Sequence, residues 1–155
     1  MEEKGRKQYL AIDPGIKGGI ALLDKNILSA YKCPPTVKEM SDLLYEITSE
    51  DTIAILEHVH SFPNQGVSST FKFGNNFGQW QGILASMCIP YIEVSPQKWM
   101  KMFQPLPKVK GDRKRKLKEI AIEYHPEIKV TLDTADAIVM AYYLKETNEN
   151  LEHIK

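Results

Sequence analysis

Acidic residues stand at four positions where secondary structure elements should begin or end. Asp13 closes the apolar run "QYLAID", and Glu57 closes the run "TIAILE". If these two runs form adjacent parallel strands, both carboxylates emerge side by side at one edge of a sheet. Asp133 and Asp136 open a helical stretch, and their spacing puts both on one helical face. A helix whose face points at that sheet edge would complete a cluster of four carboxylates.

Four carboxylates at close quarters cannot all stay ionised without a compensating cation. Oxygen ligands of high charge favour Mg²⁺ or Mn²⁺ over zinc. Neither Cys33 nor Cys88 stands beside them in sequence to suggest otherwise. Two such ions about 4 Å apart activate a water on one side of a phosphodiester and stabilise the leaving oxygen on the other. The cluster therefore predicts nuclease chemistry, with all four residues as catalytic metal ligands.

Each acidic residue taken alone also has a purely structural interpretation. Asp13 precedes Pro14 and Gly15, which is typical of a turn residue. Asp133 could cap a helix, and Asp136 could complement its dipole. These interpretations do not explain why all four positions occur together. Glu57 is the hardest to explain this way, because the end of a buried strand needs no charge.

The elements that must position these residues follow from hydrophobic periodicity and turn residues. The segment 61–76, rich in Ser, Asn and Gly, is predicted as a loop opening into a helix. Three antiparallel strands, followed by two strands that each come after a helix, predict an α/β fold with a mixed five-stranded sheet flanked by helices. The predicted strands are 8–13, 18–24, 26–33, 52–58 and 91–96, and the predicted helices are 36–50, 77–88, 113–124 and 132–146, with a short helix or turn at 97–103.

Length and composition predict one domain over residues 1–155, with flexible ends at 1–7 and 147–155. No apolar run approaches the roughly 20 residues of a membrane span, and the charged start does not resemble a secretory signal. We therefore expect a soluble cytoplasmic protein with no membrane partner. The two cysteines lie far apart in sequence, and we expect reduced, mostly buried thiols with no disulfide or zinc cluster.

The formal net charge is zero, but the charges are unevenly distributed. Residues 98–118 carry many lysines and arginines and a single acid, Asp112, whereas the chain beyond them is mainly acidic. Such an uneven distribution is more informative about binding partners than the net charge is. On its own, the basic stretch is more typical of a solvated loop and helix start than of a DNA contact.

Several motifs together resemble the RuvC family of Holliday-junction resolvases, which have the RNase H-like fold. They are "AIDPG" followed by "GGIAL", then "ILEHV", then "DTADA". Their order and approximate spacing agree from Tyr9 to about Leu144, and the D-x-x-D-A ending is a fairly specific signature. The middle segment differs from the usual bacterial sequences and resembles divergent versions, including phage-encoded ones.

The resemblance implies a homodimer of the bacterial cell that binds four-way junction DNA. With two Mg²⁺ or Mn²⁺ ions per site and no small-molecule cofactor, it would nick two strands of like polarity at symmetric positions, in recombination and repair. Carried over by position, Asp13 would bridge both metals and Glu57 would bind one of them. Asp133 and Asp136 would complete the site.

The same resemblance implies DNA contacts outside the acidic cluster. Lys98 matches in place a lysine that contacts DNA near the cut, and the basic helix start matches a DNA-contacting region. The family often has an aromatic after the glutamate that stacks on junction bases, and His60 and Phe62 are both candidates here. His58 and His60 are spaced as a metal-binding pair, but no third nitrogen or sulfur ligand accompanies them, so hydrogen bonding is favoured over zinc binding. The remaining predicted DNA-binding residues are Lys101, Lys110, Arg113, Lys114 and Arg115.

Three alternatives stay open at this stage. "DPGIKGGIAL" also resembles the first phosphate loop of the actin, hexokinase and sugar-kinase superfamily, although the chain is too short for the second lobe of those proteins. An RNase H-like nuclease that trims ribosomal RNA precursors would keep the fold and the metals but change the substrate. A non-catalytic junction binder is disfavoured because all four carboxylates are present.

Overall fold

The computed structural model describes residues 7–58, 60–61 and 63–152. One five-stranded sheet in the order β3-β2-β1-β4-β5 forms its centre. The strands are β1 (Gln8–Asp13), β2 (Gly19–Asp24), β3 (Ile27–Lys32), β4 (Thr52–Glu57) and β5 (Tyr91–Val94). The helices are α1 (Val37–Ile47), α2 (Val67–Ser86), α3 (Pro96–Met100), α4 (Lys110–Tyr124) and α5 (Leu132–Glu152), with a 3₁₀ turn at Lys101–Phe103.

The strand pairing confirms the predicted fold class. β2 runs antiparallel to both β1 and β3, whereas β4 runs parallel to both β1 and β5. β1 and β4 lie in the middle of the sheet, so their residues face protein on both sides. This explains why their sequences read as continuous apolar runs instead of alternating patterns.

Two apolar cores lie on the two faces of the sheet. On one face, Ala11 and Ile55 pack with the apolar residues of α4 and α5. On the other face, Leu10 and Leu56 pack with α1 and with the second half of α2. Successive side chains of a strand point to opposite faces, so β1 and β4 supply both cores at once. The sheet is thereby fixed between two helical layers.

Helix boundaries are where the structure differs most from the sequence prediction. α2 begins at Val67, well before the predicted start at residue 77. Its first half is mostly exposed and has no apolar stripe, so hydrophobic periodicity does not reveal it. The buried residues of α2 all lie in its second half: Trp80, Ile83 and Leu84. α4 begins at Lys110 and not at residue 113, and α5 continues past residue 146 to Glu152.

Two glycines in the connection from β1 to β2 have a conformational role. Gly15 adopts φ +112°, which favours glycine. A Cβ on Gly19 would lie 2.3 Å from the carbonyl oxygen of Asp133, so only glycine lets the first turn of α5 approach β2 this closely. Gly19 is also the cross-strand partner of Asp13. The absence of a side chain at Gly19 therefore brings the start of α5 next to the end of β1.

Both cysteines are free thiols, as expected, but only Cys33 is buried and Cys88 is exposed. The expectation of mostly buried thiols is thus wrong for Cys88, which sits in the turn after α2. In the described part of the chain, no helix has the length and apolar character needed to cross a membrane.

Candidate active site

The ends of β1 and β4 carry Asp13 and Glu57 side by side. The parallel register pairs Ile12 with Leu56, and the two acids are the next residues along each strand. Glu57 is only 6% exposed, and Asp13 is partly buried. Their carboxyl groups lie close enough for each to affect the pKa of the other. Asp13 and Glu57 therefore lie next to each other at one sheet edge, as the sequence predicts.

The first turns of α5 bring one of the two predicted aspartates into this cluster. Asp136 is 8% exposed and lies close enough to raise the pKa of both Asp13 and Glu57 by charge repulsion. Asp133 lies further out, where Lys32 Nζ is 3.7 Å from its Oδ2. The structure therefore contains a close group of three carboxyls, Asp13, Glu57 and Asp136, with Asp133 beside it.

Burial dominates the electrostatics of this carboxylate cluster. Desolvation, and then the charges of Glu57 and Asp136, raise the pKa of Asp13 well above its usual range. Desolvation also raises the pKa of Glu57 to about 7, although the hydrogen bond from Trp99 and the positive charge of Lys114 oppose the shift. The pKa of Asp136 is raised by burial. The cluster is therefore short of positive charge at neutral pH.

Lys114 on α4 is the cation that acts on all three carboxyls. Its charge lowers the pKa of Asp13, Glu57 and Asp136, and Arg113 adds to this effect at Asp136. These reductions are smaller than the increases caused by burial, because the net shift of each carboxyl is upward. One lysine does not neutralise the cluster, so its negative charge can still be compensated by a further cation.

The donor set suits a divalent cation in charge and chemistry. Asp136 Oδ1 is buried and has no hydrogen-bond partner among the described residues, so an acceptor oxygen is available for a ligand. Carboxylate oxygens are the ligands that Mg²⁺ and Mn²⁺ prefer. Within residues 7–58, 60–61 and 63–152, no three His, Cys, Asp or Glu side chains are already arranged to hold an ion. The carboxylates therefore supply the oxygens and the charge without forming a ready-made cage.

A cavity of about 740 Å³ opens onto the carboxylate cluster. It lies between the loop that follows β1, the first half of α2, α3 and the start of α4. Apolar residues such as Phe73 and Met100 form part of its wall. The cationic residues that line it, the cationic rim, are Lys17, Lys72, Lys110, Arg113 and Lys114.

Of the predicted DNA-binding residues that the structure describes, three line the cavity and four lie outside its described lining. Lys110, Arg113 and Lys114 line the cavity. His60 is exposed, with its ring centroid 4.7 Å from that of His58. Phe62 lies outside the described residues. The other predicted contacts are exposed and lie outside the described lining of the cavity: Lys98, Lys101 and Arg115, of which Arg115 forms an ion pair with Asp112.

Sequence reasoning missed several residues that shape the site. Lys17 and Lys72 belong to the cationic rim but stand outside the basic stretch, with no local signal. Asn76 of α2 accepts a hydrogen bond from the Gly15 backbone at 2.8 Å and so holds the turn after Asp13. Trp99 Nε1 donates to Glu57 Oε2 at 2.7 Å. The only sign of this contact in the sequence is that Trp99 follows closely after β5, the strand that pairs with β4.

Two solved structures are similar to this chain over most of its length. "T. thermophilus RuvC in complex with Holliday junction substrate" matches with a TM-score of 0.58 and 15% identity, covering 88% of this chain and 91% of that one. "Thermus thermophilus RuvC structure" matches with a TM-score of 0.60 and 15% identity, covering 91% of this chain and 96% of that one. No protein-family model and no curated protein sequence matches the chain. At this identity the similarity concerns the fold, and it confirms the predicted resemblance at that level: the chain has the RNase H-like fold of the RuvC structures.

Proposed function

We propose that this chain is a divalent-metal-dependent endonuclease that resolves four-way DNA junctions. Acting as a homodimer, it would hydrolyse phosphodiesters at symmetric positions in two strands of like polarity. A dimer supplies one site for each strand that must be cut. The likeness to the RuvC structures, one of them in complex with a Holliday junction substrate, supports the substrate class.

The observation that carries this proposal is the combination of the carboxylate cluster with the cationic rim around a single cavity. Acidic ligands alone would repel a phosphodiester, and lysines alone would bind DNA without cutting it. A negative centre surrounded by positive residues suits a polyanion whose reacting phosphate must approach a divalent cation. A structured RNA carries the same phosphate chemistry, and it is therefore one arm of the cleavage test.

Within the proposed reaction, Asp13, Glu57, Asp136 and Asp133 would hold Mg²⁺ or Mn²⁺. When bound, such ions supply an activated water and stabilise the developing charge at phosphorus and the leaving oxygen. Lys114 keeps a fixed positive charge against the carboxylates. The other rim cations bind phosphates and fix the register of the strand. Asn76 and Gly19 keep Asp13 and the start of α5 in place.

The function is tested by offering purified protein equal amounts of a synthetic four-way junction, a linear DNA duplex and a structured RNA, each with Mg²⁺. We expect cleavage of the junction and no cleavage of the other two. Equal cleavage of the duplex would contradict junction selectivity. Preferential cleavage of the RNA would favour a ribosomal-RNA-processing activity on the same fold.

The cationic rim leads to a prediction at Lys72, which sequence analysis did not select. Lys72→Gln should weaken junction binding about fivefold at moderate salt and reduce the slope of log K against log [salt] by about 1, because one phosphate contact is lost. Binding is measured by fluorescence anisotropy across a salt series. Lys38→Gln is the matched control, since Lys38 is exposed on α1 and pairs with Asp42. Equal salt slopes for both variants would contradict a phosphate contact by Lys72.

A further inference from the structure

The indole of Trp99 lies directly against the carboxylate cluster. Its Nε1 donates a hydrogen bond of 2.7 Å to Glu57 Oε2. Trp99 is 0% exposed and Glu57 is 6% exposed, so this hydrogen bond is shielded from water. Hydrogen bonds to a charged acceptor are roughly twice as strong as neutral ones, and low local polarity strengthens them further.

The fold explains why these two residues meet. β5 runs parallel to β4, and Val94 is the cross-strand partner of Glu57. α3 begins immediately afterwards, capped by Ser95, whose hydroxyl accepts a hydrogen bond from the Lys98 backbone. This short helix returns Trp99 over the end of β4. There its ring packs edge-on against Phe103, with centroids 6.3 Å apart. The indole is therefore held by the core and not by Glu57 alone.

The second tryptophan provides an internal comparison. Trp80 on α2 is also 0% exposed, but its Nε1 has no hydrogen-bond partner in the described part of the chain. Trp80 packs in the core on the opposite face of the sheet from Trp99. Burial of an indole in this protein thus does not require a partner for its N–H. The contact between Trp99 and Glu57 is a specific feature of the site.

We propose that Trp99 is a positioning residue that holds one oxygen of Glu57 and thereby orients the carboxylate toward a divalent cation. The proposal rests on the metal site of the proposed function and goes beyond it by naming the group that orients one ligand. An indole N–H only donates, so it can fix a carboxylate oxygen without competing for a cation. A carboxylate has acceptor capacity on both oxygens, so Glu57 can accept this bond and still bind an ion.

Groups that hydrogen-bond a metal ligand typically contribute 10- to 100-fold to metal affinity or activity. Trp99→Phe removes the N–H while keeping an aromatic ring in the core, and Trp80→Phe is the matched control for loss of indole volume. Mn²⁺ binding to each full-length variant is measured by isothermal titration calorimetry without DNA. We expect about tenfold weaker Mn²⁺ affinity in Trp99→Phe, and affinity within about twofold of the wild type in Trp80→Phe.

A second measurement does not require Trp99→Phe to fold. In the Trp80→Phe variant, Trp99 is the only tryptophan, so a ¹⁵N-labelled sample gives a single indole N–H signal. Adding Mg²⁺ should shift this signal, because its acceptor becomes a metal ligand. In Trp80→Phe/Glu57→Ala, which lacks the acceptor, the same titration should leave the indole signal in place.

Equal Mn²⁺ affinity of the Trp99→Phe and Trp80→Phe variants, or an indole signal unmoved by saturating Mg²⁺, would overturn the proposal. Absence of Mn²⁺ binding by the wild-type protein would overturn it as well. Both measurements are made without DNA, so they are independent of substrate. A protein that binds Mn²⁺ through Trp99 and Glu57 but leaves four-way junctions uncut would refute the proposed function alone.

Discussion

Replacing Asp13 by asparagine should lower the rate of junction cleavage by about 10³-fold while changing junction affinity by less than about threefold. The amide keeps the shape of the side chain but removes the charge at the centre of the carboxylate cluster. Loss of metal-assisted stabilisation of several kcal/mol corresponds to a rate loss of that size. Junction affinity should persist because it depends on the cationic rim and not on the acidic centre.

Cleavage is measured under single-turnover conditions in Mg²⁺, and binding is measured by anisotropy in Ca²⁺ or without divalent ions. The control is Asp42→Asn, because Asp42 lies on the exposed face of α1 and pairs with Lys38. This control should cleave at the wild-type rate. An Asp13→Asn protein that still cuts at more than about a tenth of the wild-type rate would refute the assigned site.

Replacing Glu57 by glutamine should stabilise the metal-free protein at pH 8. Burial raises the folded-state pKa of Glu57 from 4.5 to about 7. Below pH 4.5 the carboxyl is neutral in the folded and unfolded states, so it does not penalise folding. Above pH 7 it is ionised in both, and the folded state carries the net cost of burying this charge among its neighbours, about 3 kcal/mol. Stability should therefore fall as pH rises between these values.

The expected gain for Glu57→Gln without divalent ions is an increase in Tm of about 5–10 °C at pH 8, with little change at pH 4. Differential scanning fluorimetry across this pH range measures it. Glu46→Gln, on the exposed side of α1, should show no such pH-dependent gain. Mg²⁺ should stabilise the wild type and not the Glu57→Gln variant. A variant that is less stable than the wild type at pH 8 in the absence of metal would contradict the described electrostatics.

The central elements of the fold could be predicted because their physical signals are local. β1 and β4 are buried on both faces, so continuous apolar runs identified them, and the acid at the end of each run identified Asp13 and Glu57. The three antiparallel strands were also apparent from short turns. These signals suffice for the sheet, and the sheet in turn determines which strand ends meet.

Other features depend on tertiary contacts that leave no local signal. The first half of α2 is an exposed helix of Ser, Asn and Gly, so its composition indicated a loop. Helical spacing alone placed Asp133 and Asp136 equally near the site, but Lys32 lies beside Asp133, and the two aspartates differ in burial. Lys72 lines the cavity from the first half of α2, the part of the helix that the sequence predicts as a loop. The Trp99 contact depends on the parallel pairing of β4 with β5.

The most direct test of the central claim is to map cleavage of a four-way junction at single-nucleotide resolution, labelling each strand in turn. We predict one nick in each of two strands of like polarity, at symmetric positions, that requires Mg²⁺ or Mn²⁺ and is lost in Asp13→Asn. Nicks that persist without divalent ions, that are unchanged in Asp13→Asn, or that occur equally in linear duplex would contradict the account.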